Sequence, residues 1–90
     1  MPAGPNLPPT ALTRSIAAII RSHMGFMNMS QVALARATGI PQATISRLVR
    51  GKRVVDVEQL DLICRALRVS SVQVYTDAMT HVRENTGPDV

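Results

Sequence analysis

Apolar side chains recur at helical spacing along most of this chain, and the gaps between them carry helix start and stop signals. Leu12, Ile16, Ile19, Ile20 and His23 stand at i, i+4, i+7, i+8 and i+11, one face of a first helix that begins at Thr10 or Thr13 and is expected to stop near Gly25. A second helix starts at Ser30, an N-cap residue type, with Met29 before it and Leu34 placed to form a hydrophobic staple. It is short, ending at Thr38-Gly39. Gly39 supplies the left-handed conformation that lets the chain leave, and Pro41 suits the first position of the next helix, where its missing N–H has no intrahelical partner. Helix 3 is therefore predicted from Pro41 to about Arg50, closed by Gly51.

Two capping signals define the rest. Asp56 with Gln59 is a variant of the capping box, followed by Val57, Leu60, Ile63, Cys64 and Leu67 on one face, which predicts a helix from Asp56 to Arg68. Ser70 with Gln73 repeats the box, and Val69 can staple to Val74, so a last helix runs from about Ser71 to His81 or a little beyond. Four prolines and a glycine in the first nine residues preclude regular hydrogen bonding there. The expected organisation is a flexible arm over 1–9, one domain over 10–83 and a polar tail over 84–90. Ninety residues support one all-α domain with a modest core.

Helices 2 and 3 are separated by only Thr38-Gly39-Ile40, too tight a turn for antiparallel packing, so they meet at a steep angle with Ala35, Ile40, Ile45 and Leu48 in the corner. That is a helix-turn-helix. A tight helical corner alone is equally compatible with a purely structural role. The outward face of helix 3 adds chemistry: with Ile45, Leu48 and Val49 turned inward, Gln42, Ala43, Thr44, Ser46 and Arg47 are left as candidate base readers, alongside Arg50. Gln can pair with adenine through two hydrogen bonds and Arg with guanine, while Ala43 or the Thr44 methyl can touch a thymine methyl. Arg50, Lys52 and Arg53 follow as candidate phosphate contacts, which fix register without reading sequence.

Charge sharpens this picture. The net charge is +4, but no acidic residue precedes Asp56, so the first 55 residues carry +7 and the remainder −3. A cationic half attracts phosphates, and a solvated basic face would look the same from charge alone. Only Phe26 and Tyr75 are aromatic, which disfavours a stacking surface for single strands. Cys64, the single cysteine, can make no intrachain disulfide and sits in an apolar helical pattern as a buried thiol. His23 and His81 lie far apart with no Cys or carboxylate cluster at ligand spacing, so neither an enzyme nor a metal or other cofactor is expected. No run reaches transmembrane length and the start lacks signal-peptide order, which leaves the cytoplasm as the expected compartment and no membrane partner.

The stretch SQVALARATGIPQATISRLVRGKR followed by DVEQLDLICRALRVS resembles the Cro and cI repressor type of helix-turn-helix domain, the XRE family. The resemblance covers about residues 10 to 80, and its most specific pieces are Ser30-Gln31, Leu34-Ala35, Gly39, Ile45-Ser46 and Arg50-Gly51-Lys52. It implies a compact five-helix, lambda-repressor-like fold and a sequence-specific regulator of a phage or bacterial cell that represses by occupying an operator. It implies that Gln31 contacts phosphate and braces Gln42, which reads adenine, that Ala43, Thr44 and Arg47 vary with operator sequence, and that Arg50 holds phosphate. Arg36 is grouped with the phosphate contacts. Pro41 departs from the family's Ser or Thr, which puts the N-terminal phosphate contact of helix 3 in doubt.

Two apolar features remain. Residues 24–29, Met-Gly-Phe-Met-Asn-Met, form a connection unusually apolar for a surface loop, expected to pack over the ends of helices 1 and 2 or else to receive a partner. Val74, Tyr75, Ala78, Met79 and Val82 make a wide stripe on the last helix, expected to form a twofold homodimer contact on double-stranded DNA. The alternative from another class is a protein-binding module of the same fold, an antitoxin or antirepressor, gripping a protein partner through that loop or the last helix.

Overall fold

A computed structural model of the chain describes residues 8–86; most of the expected arm, and residues 87–90 of the expected tail, lie outside them. Five helices follow one another: α1 (Ala11–Met27), α2 (Gln31–Thr38), α3 (Gln42–Val49), α4 (Val57–Leu67) and α5 (Ser71–Thr86), with no strand among the described residues.

Capping side chains set where these helices begin. Thr10 Oγ1 accepts from Thr13 N at 3.3 Å, which settles the start of α1 in favour of Thr10, and Ser30 Oγ accepts from Ala33 N at 3.0 Å. The box at α4 is reciprocal: Asp56 Oδ1 accepts from Gln59 N at 2.7 Å and Gln59 Oε1 from Asp56 N at 3.1 Å. At α5 only half of the expected box is present. Ser70 Oγ accepts from Gln73 N at 3.2 Å, but the Gln73 amide reaches forward to donate to Asp77 Oδ1 at 2.8 Å.

Three boundaries differ from those expected, each for a local reason. Gly25 does not stop α1, which continues to Met27 and is ended by Asn28 at φ 54°. Asn tolerates the left-handed region because its short side chain can hydrogen-bond locally. Asn28 N and Met29 N donate to Gly25 O and Met24 O at 3.1 and 2.8 Å, while Met24 is buried and Met29 packs on the core, so hydrogen bonds and apolar contact fix the end together. Pro41 is not the first residue of α3 but its cap: its ψ of 142° is extended, its carbonyl accepts from Ile45 N at 2.9 Å, and it provides no side-chain cap. Helix α5 runs on through Glu84 to Thr86, five residues past His81, where a polar tail was expected. Val82 gives it a half-buried contact one turn beyond Ala78, and Asn85 Nδ2 donates back to His81 O at 2.8 Å.

The core gathers one face of every helix. Leu34, Ile45 and Ile63 are completely enclosed, joined by Ile20, Val49, Cys64 and Leu67. Helices α1 and α5 run antiparallel, since Ala11 and Asn85 border one end of their shared groove while Phe26 and Met27 border the α4–α5 corner. This pairing corrects the expected dimer stripe: Val74 and Ala78 are 2% and 0% exposed and belong to the core, so no second molecule can reach them. The sequence pattern could not separate them from their neighbours because core and surface positions sit side by side on a helix that is apolar over a wide arc.

Candidate functional site

The angle between α2 and α3 is fixed by one side chain and one glycine. Thr38 Oγ1 donates to Leu34 O at 2.8 Å and accepts from Ile40 N at 3.2 Å, so a single hydroxyl ends α2 and holds the turn. Gly39 sits at φ 77° and its N–H donates to Ala35 O at 2.8 Å. A Cβ there would meet nothing within 4 Å; the glycine is required by backbone conformation, not by space. Ile40, Ile45 and Leu48 are buried in the corner and Ala35 packs half-buried against them, the four residues expected to fill it.

With that corner closed, α3 presents its other side to solvent. Gln42, Ala43, Arg47 and Arg50 are exposed, and Thr44 and Ser46 are half-buried. Helical spacing puts Ala43, Arg47 and Arg50 on one line at i, i+4 and i+7, with Gln42 and Ser46 on the adjacent line and Thr44 on the far flank. Gln31 and Gln42 each occupy the first position of their helices, α2 and α3. Arg36 stands apart: five residues after Gln31, it is turned about 140° from it around α2, so the two cannot follow one line of phosphates from the same helix face.

The turn after α3 carries the remaining cations. Gly51 adopts φ 71°, its N–H donates to Leu48 O at 3.1 Å, and Lys52 N donates to Arg47 O at 3.0 Å. Gly51 is buried against α1, where a Cβ would lie 3.5 Å from both the Ala17 Cβ and the Arg14 Cα. Lys52 and Arg53 are left exposed. None of Arg36, Arg47, Arg50, Lys52 and Arg53 is engaged in an ion pair among the described residues, and the first turns of α2 and α3 hold no acid.

Sequence reasoning missed two residues of α1. Arg14 abuts the Gly51 turn, and Arg21 Nη1 donates to Val49 O at 2.7 Å, joining α1 to the end of α3. Their i, i+7 spacing places both on one face of α1, but only the packing of α1 determines what that face meets.

The apolar features resolve into separate surfaces. Val72, Tyr75 and Met79 recur at i, i+3 and i+7 on α5, with Val72 and Tyr75 exposed and Met79 half-buried. Val82 is half-buried beside the α1–α5 groove. The expected loop of residues 24–29 is in large part the last turn of α1. Its Met24 and Met29 pack inward, whereas Phe26 is 89% exposed beside a cleft of 490 Å³ that also borders Leu67 and Val69.

Among the described residues no three His, Cys, Asp or Glu side chains are grouped to hold a metal ion, and no helix is long and apolar enough to cross a membrane. Burial pushes the Cys64 thiol up, and the nearby Asp61 carboxylate adds to the effect, the opposite of what an activated nucleophile requires.

Comparison with known proteins agrees with this geometry. A family model described as helix-turn-helix (HTH_3) matches residues 27–74. The clp gene regulator ClgR from Corynebacterium glutamicum is similar at a TM-score of 0.72 and 28% identity, over 80% of this chain and 94% of that one. A point mutant of the restriction-modification controller protein C.Esp1396I is similar at a TM-score of 0.72 and 25% identity, over 81% of this chain and 97% of that one. Comparison with curated proteins yields no match.

Proposed function

Because the chain belongs to the XRE-type helix-turn-helix family of DNA-binding transcription regulators, we propose that it represses transcription by occupying an operator with α3 in the major groove. The observation that carries this reading is the outer face of α3, free of acids and flanked by unpaired cations. Gln42, Ala43, Thr44, Ser46 and Arg47 face base edges, with Thr44 reaching from the flank. Gln31, Arg50, Lys52 and Arg53 hold phosphates on either side, and Arg36 contributes from a separate face of α2. The regulator names of both structural neighbours support a role in gene control.

The protein works as a homodimer on DNA, through the outer side of α5, in the cytoplasm of a bacterial or phage-infected cell, and catalyses no reaction. Val72 joins Tyr75, Met79 and Val82 in the contact, while Val74 and Ala78 support it from within. Selection from a pool of randomised duplexes at near-physiological salt tests the reading. The expected product is an inverted repeat with half-sites about 34–36 Å apart. No enrichment by folded protein would sink it and favour the protein-binding alternative, for which the 89% exposed Phe26 beside its apolar cleft is the natural contact.

A further inference from the structure

The reading helix is only eight residues long, and its two ends are held very differently. At its start Pro41 offers no side-chain cap. At its finish the last four carbonyls of a helix have no intrahelical partner, and here the following turn takes three of them: Ser46 O accepts from Arg50 N, Leu48 O from Gly51 N and Arg47 O from Lys52 N, at 3.2, 3.1 and 3.0 Å. Val49 O is left over. Arg21 fills that vacancy from α1, 28 residues away, with Nη1 at 2.7 Å. A guanidinium at a helix C-terminus also sits where the helix dipole favours positive charge, and a charged donor makes the stronger class of hydrogen bond.

We infer that Arg21 is a positioning residue for base reading: it locks the last turn of α3 to α1 and so fixes where Arg47 points, without itself touching DNA. This rests on the proposed reading of DNA by α3. Two further observations support it. Gly51, in the turn that closes this end, is seated against Arg14 and Ala17 of α1, so α1 braces the end of α3 and the turn after it at two points about one to two turns apart along α1. Arg21 is also the only described side chain outside α3 and its turn that bonds to the backbone of α3. The tether acts on the C-terminal end, so its loss should disturb the base read by Arg47 more than the base read by Gln42.

The test uses the full chain, as wild type, Arg21→Met and Arg21→Lys, and the duplex that the wild type enriches from the random pool. Affinity is measured for that duplex and its single-base variants at several salt concentrations. Amide exchange of Gly51 and Lys52 is followed in the free proteins. Arg21→Met is expected to bind roughly tenfold more weakly, the scale of one lost hydrogen bond to a charged group. Its discrimination should shrink at the Arg47 base pair and persist at the Gln42 base pair. The salt slope should stay that of the wild type, exchange at Gly51 and Lys52 should accelerate, and Arg21→Lys should recover part of each effect.

A salt slope reduced by about one unit marks Arg21 as a phosphate contact and overturns the proposal. Unchanged affinity overturns it, as does a uniform loss at every base pair with unchanged exchange, which marks a purely structural residue. A wild type that enriches no duplex removes the DNA reading itself, and the proposal with it. That failure is distinct, because it appears before any variant is compared.

Discussion

The hydroxyl of Thr38 illustrates how much of this site depends on single polar atoms. It bridges Leu34 O and Ile40 N at the one point where the chain turns from α2 into α3. Thr38→Val keeps the shape and removes both bonds, leaving the Ile40 N–H without its partner, and should lower stability by about 1–3 kcal/mol as read by urea unfolding. Gly25 gives the opposite sign. It lies inside α1 with open space around a would-be Cβ, so Gly25→Ala should raise stability by about 0.5–1 kcal/mol, a few degrees in Tm for a domain of this size. Cys64 makes stability depend on alkaline pH. Burial raises its folded pKa above the ordinary 9.0, so the native thiol keeps a proton that the unfolded chain releases. Its contribution is fully present below the unfolded value and is lost as pH climbs from there through the raised folded pKa. Unfolding free energies at pH 8 and pH 10 should therefore diverge more in the wild type than in Cys64→Ala.

Among the elements, α3 was the most legible, because three inward apolar residues in eight leave little freedom in how the helix can roll. Ile45, Leu48 and Val49 are all buried, and the polar remainder follows from helical spacing. The start of α2, the box at α4 and the glycines at 39 and 51 were also readable, since each is a side chain or a backbone conformation with a local cause. What sequence could not supply was long-range. That Arg21 meets Val49 O, that Arg14 lies against Gly51, and that Val74 and Ala78 are covered by the protein itself all depend on how α1 packs, and no local pattern encodes that. The end of α1 has another cause: glycine at 25 reads as a stop signal, but the residue in the left-handed region is Asn28, three positions on. A division of labour belongs at this scale. Arg47, on the central line of α3, should cost about 1–3 kcal/mol at one base pair when changed to Ala and relax specificity there. Lys52→Ala should weaken all sequences alike and reduce the salt slope by about one. Titrations against single-base variants at two salt concentrations separate the two behaviours.

At the scale of the whole molecule, the proposed dimer makes the outward side of α5 the surface that would set two reading helices relative to each other. Val72 is 73% and Tyr75 46% exposed, with Met79 one turn further along the same stripe, whereas the inner side of the helix is sealed by Val74 and Ala78. A twofold contact brings the same patch of both copies face to face, so any charge placed on it meets its own image. Val72→Lys combined with Tyr75→Lys introduces that repulsion at two surface positions and leaves the core untouched. Sedimentation should then show monomer at concentrations where the wild type is dimeric. Affinity for an inverted repeat should fall by about 100-fold or more, the scale on which linking two binding modules raises avidity, while affinity for an isolated half-site should be unchanged because α3 and its flanking cations are not altered. If the wild type is itself monomeric at high micromolar concentration, or if the double variant still dimerises, the α5 contact is wrong. Equal losses on the half-site and the repeat would instead show that the substitutions had reached α3 through the core, and circular dichroism of the variant would reveal that damage independently of DNA.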